Sequence, residues 1–106
     1  MYTNATAIKL QVTENTDDEG YIKLTFVESG DGFAIDAQPY SSQTAQEEYG
    51  IQKDNIRYRC FSDNPIPMEE GEYIRVSDEN YRVVLAHEWD YHTEFILQWL
   101  KGEVDG

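Results

Sequence analysis

The sequence has little cysteine, little proline and little positive charge. Its single cysteine, Cys60, excludes a disulfide within the chain and a zinc site built from several cysteines. Three prolines, seven glycines and no low-complexity segment argue against a disordered chain. No apolar run approaches the ~18 residues that a membrane-spanning helix requires. The start of the sequence also has neither the basic residues nor the apolar stretch of a signal peptide, so we expect a protein that works in a cytoplasm or in an assembly built there.

The chain has eight lysines and arginines but 21 aspartates and glutamates, so its formal net charge is −13. This balance argues against nucleic-acid binding, since affinity for a phosphate backbone comes mostly from lysine and arginine. It argues equally against binding to an anionic membrane surface. Three interpretations of the charge remain: a soluble acidic protein, a partner for a basic protein surface, or a wall along which nucleic acid slides without adhering.

The chain is rich in aromatic residues, and its hydrophobic residues alternate with polar ones. At 106 residues, of which 13% are aromatic, it has the size of one domain and a composition that favours half-buried strands. Alternation predicts strands over residues 6–12, 21–28, 33–37, 56–61, 72–77 and 81–89, and favours a strand over a helix at 93–100. Turn-forming residues separate them at 14–20, 29–32 and 77–80. We therefore expect a mainly β, single-domain barrel or sandwich of about six to seven antiparallel strands.

One segment differs in character from the strands around it. Residues 41–50 begin with two serines that can cap a helix, continue with good helix formers and end at Gly50. They predict a short helix or a partly ordered loop inserted between strands. The segment from 62 to 71 is expected to be an irregular connector, and residues 101–106 a flexible tail.

No set of residues indicates an enzyme or a cofactor. His87, Glu88 and His92 resemble a zinc-protease signature, but the histidines are five residues apart instead of four, and on a strand they point to opposite faces. We read them as the polar end of a strand, and Cys60 as a small core residue. No nucleophile–histidine set and no glycine-rich phosphate loop can be assigned. We therefore predict no catalytic, metal-binding or cofactor-binding residue.

Four of the eight cationic side chains fall in the predicted strands of the second half: Arg57, Arg59, Arg75 and Arg82. If these strands pair, the arginines could line one face against carboxylates at 72, 88 and 90. The simpler interpretation is a set of ion pairs between strands on a solvated face. The functional interpretation is an interface onto which the acidic surface of a neighbouring subunit docks. Tyrosines that could serve as contact anchors are Tyr40, Tyr49, Tyr58 and Tyr91.

Several short motifs from residue 33 to 100 resemble one known family. They are Ala-Gln-Pro at 37–39, a serine-rich stretch closing in Glu-Tyr-Gly at 48–50, and alternating arginines at 57–61. A Tyr-Ile-Arg-Val strand at 73–76 and a Tyr-Arg-Val strand leading to an aromatic, histidine-bearing hairpin at 81–92 complete the set. The chain thereby resembles the head-tail joining proteins, also called head-completion or stopper proteins, of siphophages that infect Gram-positive bacteria. The first 30 residues contribute only a generic hairpin.

The resemblance implies a small β-barrel or sandwich that assembles as a ring beneath the portal and its adaptor. Such a ring closes the DNA channel after packaging and offers a docking surface to tail-completion proteins. It would lie in the virion, assembled in the host cytoplasm, without catalytic residues or sequence-specific DNA binding. By position, residues 40–55 would be the insertion that points into the channel, and the candidates to face it are Tyr40, Gln46, Glu47, Glu48 and Asp54.

The composition alone supports a different class of protein. Dense carboxylates and a charge of −13 also suit a soluble acidic protein-binding module or an inhibitor that mimics nucleic acid. The arginines on the strands and the insertion at 40–55 favour the connector, because a mimic requires an uninterrupted acidic surface.

Overall fold

A computed structural model describes residues 3–63 and 67–100 and the backbone of 104–105. Six antiparallel strands are arranged in the order β1-β4-β5-β6-β3-β2, and pairing of β1 with β2 closes them into a barrel. The predicted fold class is confirmed, and the closure decides for a barrel over a sandwich. The elements are β1 (Ala5–Thr16), β2 (Ile22–Pro39), α1 (Ser42–Tyr49), β3 (Ile56–Ser62), β4 (Tyr73–Val76), β5 (Glu79–Glu88), β6 (Thr93–Trp99) and β7 (Val104–Asp105).

The first two strands are longer than the sequence predicted. Residues 29–32 were expected to form a turn before a separate strand at 33–37, and both expectations are wrong. Ala7 pairs with Phe33 and Lys9 pairs with Ser29, so residues 30–32 bulge out opposite a single residue of β1 while the pairing continues on both sides. Gly30 has φ of +82°, a conformation that glycine adopts without strain. The glycines therefore bend one strand instead of ending it.

The interior of the barrel holds the main hydrophobic core. Cys60 lies in it, as predicted, and is completely buried. Met68, from the connector between β3 and β4, is 5% exposed and packs into the same core, so this connector covers one end of the barrel. The largest core side chains are Tyr81, Phe95, Ile35, Ile74, Leu97 and Val83.

The predicted insertion at 41–50 is a helix, which settles the alternative between helix and loop. Ser41 caps its start, because the serine side chain accepts a hydrogen bond from the backbone N–H of Thr44. Gly50 ends it in the left-handed conformation, with φ of +69°. Ala45 is fully buried against Ile56 and Ile96, which form a second, smaller apolar cluster. The helix therefore packs on the outer surface of β3 and β6.

The strand order gives the barrel two different ends. At one end, which we call the ribbon end, lie the β1–β2 turn at 17–20, the β3–β4 connector and the β5–β6 turn at 89–92. At the other, the helix end, lie α1 and the two-residue turn at Ser77 and Asp78, both with positive φ. This turn confirms the tight turn predicted at 77–80.

The end of the chain lies along β2. Of the tail predicted to be flexible, Val104–Asp105 pairs in parallel with Thr25 and Phe26 of β2. Residues 101–103 and 106, like residues 64–66 of the predicted irregular connector, lie outside the described residues. The seventh strand is thus a short parallel addition to an antiparallel barrel.

Candidate interaction surfaces

The four arginines of the predicted stripe do not lie side by side. Arg57 follows the first residue of β3, where the register with β6 is irregular, and it points towards the helix end. Its Nη1 donates to Glu79 Oε2 at 2.9 Å, and its Cζ lies 3.9 Å from the centroid of the Trp99 ring. A guanidinium stacked on an indole in this way is a cation–π contact. The Arg57 guanidinium is therefore engaged by residues of its own chain at the helix end of the barrel.

Arg59 makes the most buried ion pair among the described residues. Its Nε donates to Glu94 Oε2 at 2.6 Å, and its Nη2 contacts the same oxygen. Glu94 is only 7% exposed. Burial alone would lower the pKa of Arg59, but its hydrogen bond to Glu94 and the charge of that carboxylate outweigh burial and raise the pKa.

The helix contributes to this cluster through Tyr49. The Tyr49 hydroxyl donates to Glu94 Oε2 at 3.5 Å, which is a long hydrogen bond, and the Arg59 guanidinium lies 6.0 Å from the tyrosine ring. Burial, followed by the charge of Glu94, raises the pKa of Tyr49 and keeps its hydroxyl protonated. Tyr49, expected to be an interface anchor, therefore also fastens the end of α1 to the barrel.

The other two arginines differ in their surroundings. Arg75 donates to Glu28 Oε1 at 3.1 Å and to Asn80 Oδ1 at 3.0 Å. Arg82 is exposed and has no ion pair or side-chain hydrogen bond within the described residues. Of the four predicted interface arginines, Arg82 is therefore the one whose charge is available to an acidic neighbour.

The carboxylates expected to face the arginines were chosen wrongly. Glu72 pairs instead with Lys9, at 3.2 Å, and Glu88 and Asp90 lie at the ribbon end, beyond the arginines. The sequence could not place these carboxylates, because β4 pairs with β1 as well as with β5, and this brings Arg75 beside Glu28 of β2. Arginines do form ion pairs with carboxylates of other strands, but the strand order decides which carboxylate each arginine meets.

The residues predicted to face a channel are grouped on and beside α1. Gln46, Glu47, Glu48 and Asp54 are exposed at the helix end. Tyr40 is half-buried, with its ring 6.5 Å from the ring of Tyr49. These residues form an acidic surface, which we call the helix face.

The Tyr40 hydroxyl is buried beside the carboxylate of Glu48. Burial, with smaller contributions from the charge of Glu48 and a hydrogen bond to it, raises the pKa of Tyr40 to about 12, so this hydroxyl is protonated at neutral pH.

The ribbon end carries most of the exposed large hydrophobic residues. Trp89 is 50% exposed and Tyr91 is 83% exposed, in the turn between β5 and β6. Trp89 was predicted to be the last residue of a strand over 81–89, either in the core or at an interface, but β5 ends at Glu88. A feature of the sequence that could have placed Trp89 in a turn is its position within a run of charged and polar residues, 87–94.

The histidines at this turn pack as aromatic rings. The centroid of the His87 ring lies 4.2 Å from that of the Trp89 ring. The His92 ring is stacked on the Trp89 ring at 6.0 Å and is tilted against the Phe61 ring at 6.1 Å. Within residues 3–63 and 67–100, no three histidine, cysteine, aspartate or glutamate side chains are grouped so that they could hold a metal ion. Burial raises the pKa of the Cys60 thiol above its ordinary value, which disfavours the reactive thiolate.

Two comparisons complete the description of the chain. In the part of the chain that the structure describes, no helix has the length and apolar character needed to cross a membrane. No protein-family model matches the sequence, and no curated protein matches it. The surfaces of the barrel and the sequence motifs are therefore the features that indicate a function.

Proposed function

We propose that the protein is a structural head-tail connector of a siphophage, which assembles as a ring beneath the portal and adaptor and offers a docking surface to the tail. The observation that carries this proposal is the two-ended construction of the barrel. One end presents the acidic helix face, and the opposite end presents exposed aromatic side chains. A subunit joining one protein above to another below requires two such surfaces at opposite ends.

Closure of the barrel supports assembly through side chains. Each of the six barrel strands is paired on both sides over part of its length, so the barrel itself offers no complete strand edge to another subunit. Contacts with neighbours are therefore expected from side chains, from the ends, or from stretches that have no strand partner on one side among the described residues: β1 beyond Leu10, residues 27–35 of β2 and β5 beyond Val83. Arg82 is the exposed cation best suited to an acidic neighbour in a ring.

The helix face supports the proposed channel role by its charge. Glu47, Glu48 and Asp54 are exposed there, and none of them makes an ion pair with another described residue. A channel lined by carboxylates repels the DNA backbone, so that DNA passes without being held, whereas lysines and arginines would bind it. This arrangement suits a connector that must release the genome on infection.

Electron microscopy of particles made by the source phage or prophage with this gene disabled tests the proposal. We expect tails separate from heads, and heads that have lost their DNA, with joined particles restored by the intact gene supplied in trans. Normal, infectious virions would refute the connector role. That result would favour the soluble acidic binding module or nucleic-acid mimic.

A substitution of Arg82 tests the ring contact. Arg82→Glu is expected to leave the monomer folded, with a change in unfolding free energy within about 0.5 kcal/mol, because surface substitutions away from partners cost little. It should nevertheless prevent ring assembly, while Arg82→Met should weaken it less. Assembly of the Glu variant at the wild-type level would remove Arg82 from the interface.

A further inference from the structure

The ribbon end combines exposed aromatic and apolar side chains from two separate hairpins. Leu10 of β1 pairs with Tyr73 of β4, and Tyr73 pairs with Arg82 of β5. Past this row, β1 continues to Thr16 and β5 continues to Glu88, so both hairpins extend in the same direction from the barrel. Their exposed large hydrophobic residues are Tyr21, Ile22 and Val27 on one hairpin and Trp89 and Tyr91 on the other.

The Trp89 side chain is held in place although half of it is exposed. Its backbone N–H donates to the carbonyl oxygen of His92 at 2.8 Å, which closes the turn. The His87 ring lies 4.2 Å away on one side, and the His92 ring is stacked at 6.0 Å. An exposed indole that is already ordered loses little conformational entropy on binding, which is the property of a contact anchor.

The ribbon end is also strongly acidic. Among its described residues, Lys23 is the one exposed lysine or arginine. Lys9, which lies nearby, is occupied by Glu72 and by the carbonyl oxygen of Pro67. The exposed carboxylates described at this end are Glu14, Asp18, Glu19, Asp63, Glu69, Glu70, Glu88 and Asp90.

We propose that the ribbon end is the docking surface for a protein partner whose contact face carries lysines and arginines around an apolar pocket that receives Trp89 and Tyr91. Aromatic anchors surrounded by charge are typical of protein interfaces. The negative charge of the ribbon end indicates a basic protein as the partner, because nucleic acid and anionic lipid would be repelled. A second copy docked ribbon end to ribbon end would place like charges together.

This inference rests on the proposed function, because it assigns one of the two neighbours of a connector to a defined end of the barrel. In a connector, the basic partner is an adjoining virion protein, and the helix face lies at the opposite end of the barrel, away from it. The assignment predicts that aromatic and carboxylate substitutions at the ribbon end disrupt joining, whereas an equal loss of charge at Asp31 and Asp78, outside both proposed surfaces, does not.

The test supplies variants of the gene to the phage in which it is disabled and counts joined particles. Tyr91→Ala and Trp89→Ala should each weaken docking about 30-fold, the effect of losing a strong interface anchor. Tyr91→Phe should retain most of the joining. Glu88→Gln with Asp90→Asn should lower the rate at which separated heads and tails join, and added salt should lower the wild-type rate in the same direction.

The matched control is Asp31→Asn with Asp78→Asn, which removes the same charge from exposed positions that belong neither to the ribbon end nor to the helix face. Circular dichroism and thermal unfolding of each purified variant check that the barrel is intact. Joining at the wild-type level by the Tyr91 and Trp89 variants, when the disabled gene does leave heads and tails apart, would overturn the docking assignment alone. Normal virions from the disabled gene would overturn the connector role and this inference with it.

Discussion

Replacing Arg59 by methionine should destabilise the protein far more than replacing any exposed arginine. The substitution keeps most of the aliphatic part of the side chain and removes its charge. Glu94, which is only 7% exposed, then keeps only the long hydrogen bond from the Tyr49 hydroxyl. Removing one partner of a fully buried ion pair costs about 3–5 kcal/mol. Because the Arg59 side chain is 31% exposed, water can reach the site, and we expect a smaller loss of about 2–3 kcal/mol.

Urea unfolding at pH 7, with the transition midpoint and its slope measured separately, gives this loss. For a domain of this size it corresponds to a fall in Tm of roughly 10 °C. Arg82→Met is the matched control, since it makes the same chemical change where no partner is present, and it should alter the free energy of unfolding by less than about 0.5 kcal/mol. Arg57→Met should fall between the two, because Glu79 is exposed but the contact with Trp99 is lost.

A double-mutant cycle separates the ion pair from the loss of packing. Glu94→Gln alone should also be destabilising, and the Arg59→Met/Glu94→Gln double variant should be more stable than the two single losses added together, because no unpaired charge remains buried. Additive losses, or an Arg59→Met loss no larger than that of Arg82→Met, would refute the assignment of Arg59 and Glu94 as a buried, stabilising ion pair.

The remaining predictions concern the tyrosines, the turn and the thiol. Tyr40 and Tyr81 each have a pKa raised to about 12, chiefly by burial, so in the folded protein they should ionise near pH 12 in an ultraviolet titration. Since the unfolded chain loses these protons near pH 10, stability should fall as the pH rises from 10 to 12, and Tyr81→Phe should reduce that fall; a flat stability profile would contradict it. Trp89→Ala should cost less than about 1 kcal/mol in urea unfolding, whereas Phe95→Ala in the core should cost about 3–5 kcal/mol, and equal losses would place Trp89 in the core after all. Cys60 should resist a thiol reagent until the chain unfolds, and rapid labelling of the native protein would show that the barrel opens there.

Local patterns in the sequence predicted the individual elements well. Alternation located the strands of the second half within a few residues, and the serine–glycine pair around 41–50 predicted the helix and both of its caps. These features depend on interactions between residues that are close in the sequence, so local patterns are enough to predict them. The bulge at 30–32 was mistaken for a turn because the same glycines serve both structures, and only the continued pairing with β1 distinguishes them.

The surfaces were harder to predict, because they depend on which strands are neighbours. The sequence placed Arg59 and Arg82 in one stripe, yet one is paired with a buried glutamate and the other is exposed. It named Tyr91 as a contact anchor but extended the strand as far as Trp89, since alternation continues past the point where β5 ends. Partner choice and strand ends are set by the closed topology, which no local pattern contains.

The proposed connector role is tested most directly by cryo-electron microscopy of the head-tail junction in virions of a phage that carries this gene. The connector account predicts a ring of these barrels between the portal adaptor and the tail. In that ring Trp89 and Tyr91 should contact one neighbouring protein at a basic surface, and the carboxylates of the helix face should be directed into the channel. A junction that contains no copy of this barrel would contradict the account.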